Sequence, residues 1–187
     1  PYFSTLGISH LYLSPILTAR GGSTHGYDVT DHGSINPELG GEAGFRALVA
    51  TLRRHGMGVI VDIVPNHMAV GNSDNRLWMD VLEWGHSSRY ANFFDIDWEV
   101  PDPALKNKIL APFLSDSYGN VLNSGEIKLH FDKVAGQFYV VYFEHQFPIA
   151  PTVYPQLLRL GGVELITLAK KFRDISNKGP GRREDIF

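Results

Sequence analysis

The chain contains no cysteine, which removes a disulfide framework, a thiolate metal site and a thiol nucleophile together. That absence suits a reducing compartment, and a cytoplasmic location is the expectation. No apolar run approaches the roughly 20 residues that a helix needs to cross a bilayer. No run of lysine or arginine offers a grip on phosphates either, and the formal net charge is -3. Neither membrane nor nucleic acid is an expected partner. The chain starts at Pro1 rather than methionine, with an element already under way. It therefore reads as a piece of a longer protein, and the lack of a signal peptide carries no information. What is present is ordinary for a folded domain: 187 residues, 43% of them hydrophobic and 20% charged, enough apolar material for a core and too little charge for disorder.

Ile8-Ser9-His10-Leu11-Tyr12-Leu13 reads as a strand rich in β-formers that Ser14-Pro15 terminates. A long Gly/Thr/His/Asp loop is expected from Thr18 to Gly41. Phe45, Leu48, Val49 and Leu52 then fall at i, i+3, i+4 and i+7, the apolar stripe of a helix closed by Gly56. A buried strand, Met57 to Val64, comes straight after. Strand, helix and strand at this spacing predict a right-handed βαβ unit, with its two polar loops, Thr24 to Asp31 and Pro65 to Gly71, meeting on one face at the carboxyl ends of parallel strands. The second strand runs directly into Asp62-Ile63-Val64-Pro65-Asn66-His67-Met68, an acid, an amide and an imidazole close together. Pro65 keeps Asn66 and His67 from continuing the ladder and frees them to face a pocket. Such clusters mark functional sites, and they also serve as structural caps.

Beyond Gly71 the rhythm changes. Leu77, Trp78, Val81 and Leu82 predict an amphipathic helix behind Asn72 or Ser73 and stopped by Gly85. Ile127 to Phe131 and Gln137 to Glu144 alternate around Val134-Ala135-Gly136, the pattern of an antiparallel hairpin. Leu157 to Leu160 and Val163 to Phe172 look helical, separated by Gly161-Gly162, and Asn177 to Gly181 reads as a break. The expected organisation is a partial barrel over 1–71, then an inserted, mainly β and irregular subdomain over 72–187 that leads into a helical region.

Ser9 to Pro15, His25-Gly26-Tyr27-Asp28-Val29, Asn36-Pro37-Glu38-Leu39-Gly40-Gly41 and Asp62 to His67 occur in order. Together they resemble the second-strand, aromatic-loop and third-strand motifs of the α-amylase family of glycoside hydrolases. Ser14 to Asp31, Asp62 to Val70, Asp80-Val81-Leu82-Glu83, Phe93 to Trp98 and His145-Gln146-Phe147-Pro148 make the chain most similar to the trehalose-forming members of that family. The fold implied is α/β: a partial (β/α)8 TIM barrel containing the second and third barrel strands, with the inserted subdomain. The activity implied for the full-length protein is that of a retaining enzyme, formally an isomerase of trehalose biosynthesis. It would convert the reducing-end α-1,4 bond of a maltooligosaccharide to α,α-1,1 by intramolecular transglycosylation. Such chemistry needs a carboxylate nucleophile and a carboxylic acid about 5 Å apart. The resemblance places the nucleophile in an Arg-x-Asp motif after an apolar strand. Arg183-Glu184-Asp185 follows Gly179-Pro180-Gly181 instead and reads as a polar helix start. Both reacting groups are therefore expected outside this chain, leaving it silent by itself and prone to self-association through exposed barrel surface. The alternatives are another α-amylase-type glucan hydrolase, or a noncatalytic barrel portion that binds maltooligosaccharide.

The same resemblance assigns substrate-binding residues one at a time. Tyr27 would stack against the sugar on the nonreducing side of the cleaved bond, His67 would hydrogen-bond a hydroxyl of that sugar, and Asp62 would pair with the arginine that precedes the nucleophile. Without that arginine, a buried Asp62 is expected to have a raised pKa or to seek water. Asn66 matches a position whose carbonyl binds calcium in many α-amylases, but structural hydrogen bonding is the preferred reading and neither a metal nor a cofactor is expected. His25 and Asp28 border Tyr27 as site residues, with bracing of the loop as the other role for Asp28. Asp95, Asp97 and Glu99 alternate like metal ligands yet read as a solvated strand edge. Trp78, Trp84 and Trp98 offer either sugar-stacking faces or core, with core preferred for Trp78.

Overall fold

The computed structural model describes residues 1–177 and divides into two compact units, Pro1–Val70 and Gly71–Phe187. The first unit carries α1 (Tyr2–Thr5), β1 (His10–Leu13), β2 (Leu17–Ala19), β3 (Val29–Ile35), α2 (Gly41–Arg54) and β4 (Gly58–Val61). β1 and β4 are parallel and hydrogen-bonded neighbours, in register from His10 opposite Gly58 to Leu13 opposite Val61. The helix α2 makes the crossover, as its apolar spacing predicts, and Leu52 and Met57 are buried where it turns into β4. β4 is shorter than the expected 57–64. The N–H of Asp62 makes a final ladder bond to the Leu13 carbonyl at 2.9 Å, and then the Asp62 carboxylate accepts the next N–H, that of Ile63, at 2.9 Å. The backbone has left the sheet before Pro65.

The expected loop from Thr18 to Gly41 contains an antiparallel hairpin. β2 and β3 pair through irregular register, with Leu17 opposite Ile35 and Ala19 opposite Val29. The pattern hid it because β3 alternates no apolar residues. Its cross-strand adhesion comes from hydroxyls, Thr18 Oγ1 lying 2.8 Å from Ser34 Oγ. Asp31 then accepts both the Gly33 N–H and the Ser34 hydroxyl at 2.7 Å. Polar side chains that bond locally do not advertise a strand.

The second unit begins with α3 (Arg76–Trp84). Its cap is Asn75 rather than Asn72 or Ser73: the fully buried Asn75 accepts the Trp78 N–H at 3.0 Å, whereas Asn72 donates to Asp74 at 2.8 Å. Gly85 ends the helix as expected. After an irregular stretch come α4 (Tyr118–Asn123), β5 (Lys128–Asp132), β6 (Gln137–Tyr142), β7 (His145–Pro148), α5 (Tyr154–Leu160) and α6 (Ile166–Asn177). The hairpin of β5 and β6 lies where it was expected, but Glu144 belongs to a second turn. The chain reverses there with Phe143 at φ 50°, and β7 completes an antiparallel sheet in the order β5-β6-β7. Tyr154, Leu158 and Ala169 form the core of this unit, packed by Phe138, Ile149, Leu165 and Phe172. The Tyr154 hydroxyl accepts the Phe138 N–H at 3.1 Å and so ties α5 to the sheet.

Asp95 to Glu99 is irregular rather than a strand edge. Glu99 pairs with Lys106 at 2.8 Å, and Asp97 accepts the Glu99 N–H at 3.0 Å. Trp78 packs edge-on against Phe94 at 5.0 Å, and the Trp98 ring lies tilted against His86 at 4.4 Å. Trp84 Nε1 is buried without a hydrogen-bond partner among the described residues. Arg183-Glu184-Asp185 lies outside the described residues. Among those that are described, no helix is long and apolar enough to cross a membrane, and no group of three His, Cys, Asp or Glu is placed to hold a metal ion.

Candidate functional site

The site forms where β1 and β4 end. Parallel strands with a helical crossover deliver both carboxyl ends to the same edge of the sheet, so Asp62, one residue beyond β4, emerges beside the end of β1. The loop between β2 and β3 supplies the aromatic. Gly26, at φ +78°, is buried so closely against β1's exit that a Cβ there would lie 2.2 Å from the Pro15 carbonyl oxygen. Its N–H reaches Ser23 Oγ at 3.2 Å, and that hydroxyl donates in turn to Asp28 Oδ1. Asp28 thus braces the loop. The turn so made presents Tyr27.

The Tyr27 hydroxyl donates to Asp62 Oδ2 at 2.7 Å. The Tyr12 hydroxyl, from β1, is a second and smaller influence on the same carboxylate. Asp62 is half-buried rather than buried, and its pKa is lowered, contrary to the expected upward shift. The Tyr27 hydroxyl first, and the Tyr12 hydroxyl second, hold its pKa below the ordinary 3.8, because both stabilise the ionised form. The same interactions push both phenols above their ordinary 10.0, since ionising either would lose a donor to a carboxylate and place two negative charges together.

This arrangement sets a pH window. Asp62's pKa is lowered by folding, so its contribution to stability is full above the unfolded value and fades as pH falls through the folded one. The phenols' pKa values are raised, so their contribution is full below 10.0 and fades as pH rises through the higher folded values. The network is exposed, so added salt should weaken it. Asp62→Asn is expected to return both phenols toward 10.0, read by ultraviolet absorbance titration. Unaltered phenol titration in that variant would show that Asp62 does not hold them.

His67 joins the set through Nε2, which donates to the Tyr27 carbonyl at 3.1 Å; a carbonyl only accepts, so this nitrogen carries the proton. His25 stacks beside the Tyr27 ring at 5.9 Å between centroids, and its Nδ1 accepts the Tyr27 N–H at 3.0 Å. That same Nδ1 lies 3.7 Å from Asp28 Oδ1, but a nitrogen already accepting cannot also donate, so no hydrogen bond is made there. Asn66 stands exposed on the loop before His67, outside this bonded set. Of the residues expected at the site, Tyr27, Asp62, His67, His25 and Asp28 are brought together.

Two contributors went unnoticed in the sequence. Tyr12 lies within a quoted strand motif, but only the register of β1 against β4 brings it near enough to Asp62 to influence its charge. His32, on β3, bonds through Nε2 to the Val64 carbonyl at 3.0 Å, and the Ala69 N–H reaches the Val29 carbonyl at 2.8 Å, so the hairpin carries the His67 loop from both sides. A lone histidine in a polar stretch gives no such signal.

A tyrosine ring held by a carboxylate, with an imidazole bonded to its backbone, can offer a sugar a flat face and several hydrogen-bonding groups. Residues 1–155 match the family described as alpha amylase, catalytic domain, and the chain belongs to that family. Its parallel βαβ unit is accordingly part of a TIM barrel. Among relatives, the chain is 54% identical over 137 residues, 68% of its length, to a protein of Mycobacterium tuberculosis (strain ATCC 25618 / H37Rv) assigned as a maltooligosyl trehalose synthase. The solved maltooligosyltrehalose synthase from Arthrobacter ramosus matches 80% of the chain at 41% identity and a TM-score of 0.68. The intracellular maltogenic amylase of Bacillus subtilis (strain 168) is 40% identical over 95 residues, 51% of the chain. The chain spans 17%, 18% and 15% of these three proteins respectively.

Proposed function

We propose that the chain is part of a maltooligosyl trehalose synthase and supplies one wall of its glucan-binding cleft. The supporting observation is the extent of similarity. Likeness to the maltogenic amylase covers 51% of the chain and likeness to the Arthrobacter synthase 80%, so the likeness to a synthase runs well into the second unit. On this reading residues 72–187 comprise a subdomain inserted after the third barrel strand and the start of the following helical region. The cytoplasmic location expected from the lack of cysteine belongs to the same proposal.

In the proposed reaction an enzyme carboxylate attacks the anomeric carbon at the reducing-end α-1,4 bond while a carboxylic acid protonates the departing oxygen. The released glucose, retained in the cleft, then attacks the glycosyl-enzyme through its own anomeric hydroxyl, giving an α,α-1,1 bond. Both carboxyl groups are proposed to come from outside these residues. Tyr27 stacks on the sugar whose anomeric carbon reacts, His67 donates to one of its hydroxyls, and His25 and Asp28 hold Tyr27 in place. Asp62 orients the site and pairs with the arginine before the nucleophile. The Tyr27 hydroxyl bonds the same carboxylate.

The complete protein carrying this sequence should convert maltopentaose into a nonreducing product of the same length, followed by loss of reducing ends without release of shorter sugars. Accumulation of shorter reducing sugars would identify a hydrolase instead. The 187-residue chain alone should show no turnover, because no binding contact from Tyr27 or His67 replaces a nucleophile. Product formation above a denatured control would place the reacting pair within it.

A further inference from the structure

β5 is the outer strand of its sheet, and all five of its residues are exposed. Its pairing with β6 runs unbroken from Lys128 opposite Val141 to Asp132 opposite Gln137, so no bulge bends the free edge away. No proline interrupts it. Leu129 and Phe131 are 53% and 49% exposed, on the face opposite to Lys128, His130 and Asp132 by the alternation of a strand. The outward backbone groups of such an edge are a template for another strand, and short length and flanking charge are its main protection.

The order of charges here turns protection into complementarity. We infer that β5 pairs antiparallel with β5 of a second copy of this chain, about a twofold axis through His130. In that register Lys128 faces Asp132 of the second copy, Leu129 faces Phe131, and both relations repeat by symmetry, as an isologous interface requires. One face of the joined sheet gains two opposite-charge pairs around the central histidines, and the other gains two aliphatic–aromatic pairs. Cross-strand pairs of both kinds are stabilising. Competing alignments are poorer: in-register parallel pairing sets Lys128 on Lys128 and Asp132 on Asp132, and an axis through Leu129 sets Glu126 against Asp132. The inference does not depend on the proposed enzymatic activity, and this edge is distinct from the barrel strands of the first unit.

Sedimentation of the complete protein carrying this sequence over a concentration series tests it. The unaltered protein should form dimers. Lys128→Asp, which brings four carboxylates together at the edge, should weaken association at least tenfold. The double exchange Lys128→Asp with Asp132→Lys should restore it, which a merely misfolded variant would not do. Because these 187 residues contribute no cysteine, His130→Cys adds an independent reading. Residues on the axis have Cα atoms close enough for a disulfide, whereas two copies of residue 129 are offset along the strands beyond disulfide reach. Oxidation should cross-link His130→Cys and leave Leu129→Cys uncross-linked. A monomer at every concentration, association that Lys128→Asp does not alter, or equal cross-linking at both positions would overturn the inference.

Discussion

Gly26→Ala is expected to unfold the Tyr27 loop and to destabilise the first unit by at least about 2 kcal/mol. A left-handed conformation costs a residue with a Cβ roughly 1–2 kcal/mol, and here a Cβ would also fall 2.2 Å from the Pro15 carbonyl oxygen. Backbone supplies that obstacle, so no side-chain rotation relieves it. The loop must move away from β1, and its movement breaks the bonds of Tyr27 to Asp62 and of His67 to the Tyr27 carbonyl together. Denaturant unfolding should show a lower midpoint, and absorbance titration should show the Tyr27 phenol back near its ordinary value of 10.0. An unchanged midpoint with the phenol still raised would mean that the turn tolerates a side chain.

His67→Ala in the complete protein is expected to lower turnover of maltopentaose at saturation by about 1–3 kcal/mol, roughly five- to 150-fold, the value of a hydrogen bond to a group that gains charge in the transition state. The substitution also removes the donor to the Tyr27 carbonyl, and the two effects must be separated. His67→Gln can still donate to that carbonyl. If His67 acts only by holding the Tyr27 loop, glutamine should restore most of the rate; if it acts on the sugar, glutamine should restore the loop and the phenol titration while turnover stays low. An unchanged rate constant in the alanine variant would remove His67 from the site.

Both experiments concern a loop only partly legible in the sequence. The βαβ unit was legible because its signals are local: the stripe of Phe45, Leu48, Val49 and Leu52 has the period of a helix, and Gly58 to Val61 is a short apolar run between breakers. The order of motifs placed the chain in its family, and Tyr27, Asp62 and His67 could be singled out. The hairpin of β2 and β3 could not, since Thr18, Asp31 and Ser34 hold it by hydroxyl and carboxylate bonds with no apolar alternation to read. Nor was β7, because Phe143 and Glu144, which read as the end of the strand from Gln137, turn the chain back into a further strand.

The electrostatic character of Asp62 shows most directly what the tertiary structure decided. By the family resemblance Asp62 pairs with an arginine, and without that arginine a buried Asp62 is expected to have a raised pKa or to seek water. In the folded protein β1 lies beside β4 in a register that brings up Tyr12, and a glycine turn packed against Pro15 brings up Tyr27. Two phenols 15 residues apart in sequence meet one carboxylate and lower its pKa instead. The types of group at the site follow from the sequence. The sign of the shift follows from which donors the strand register and the turn place within hydrogen-bonding distance, because a hydrogen bond acts over about 3 Å and takes no account of separation along the chain.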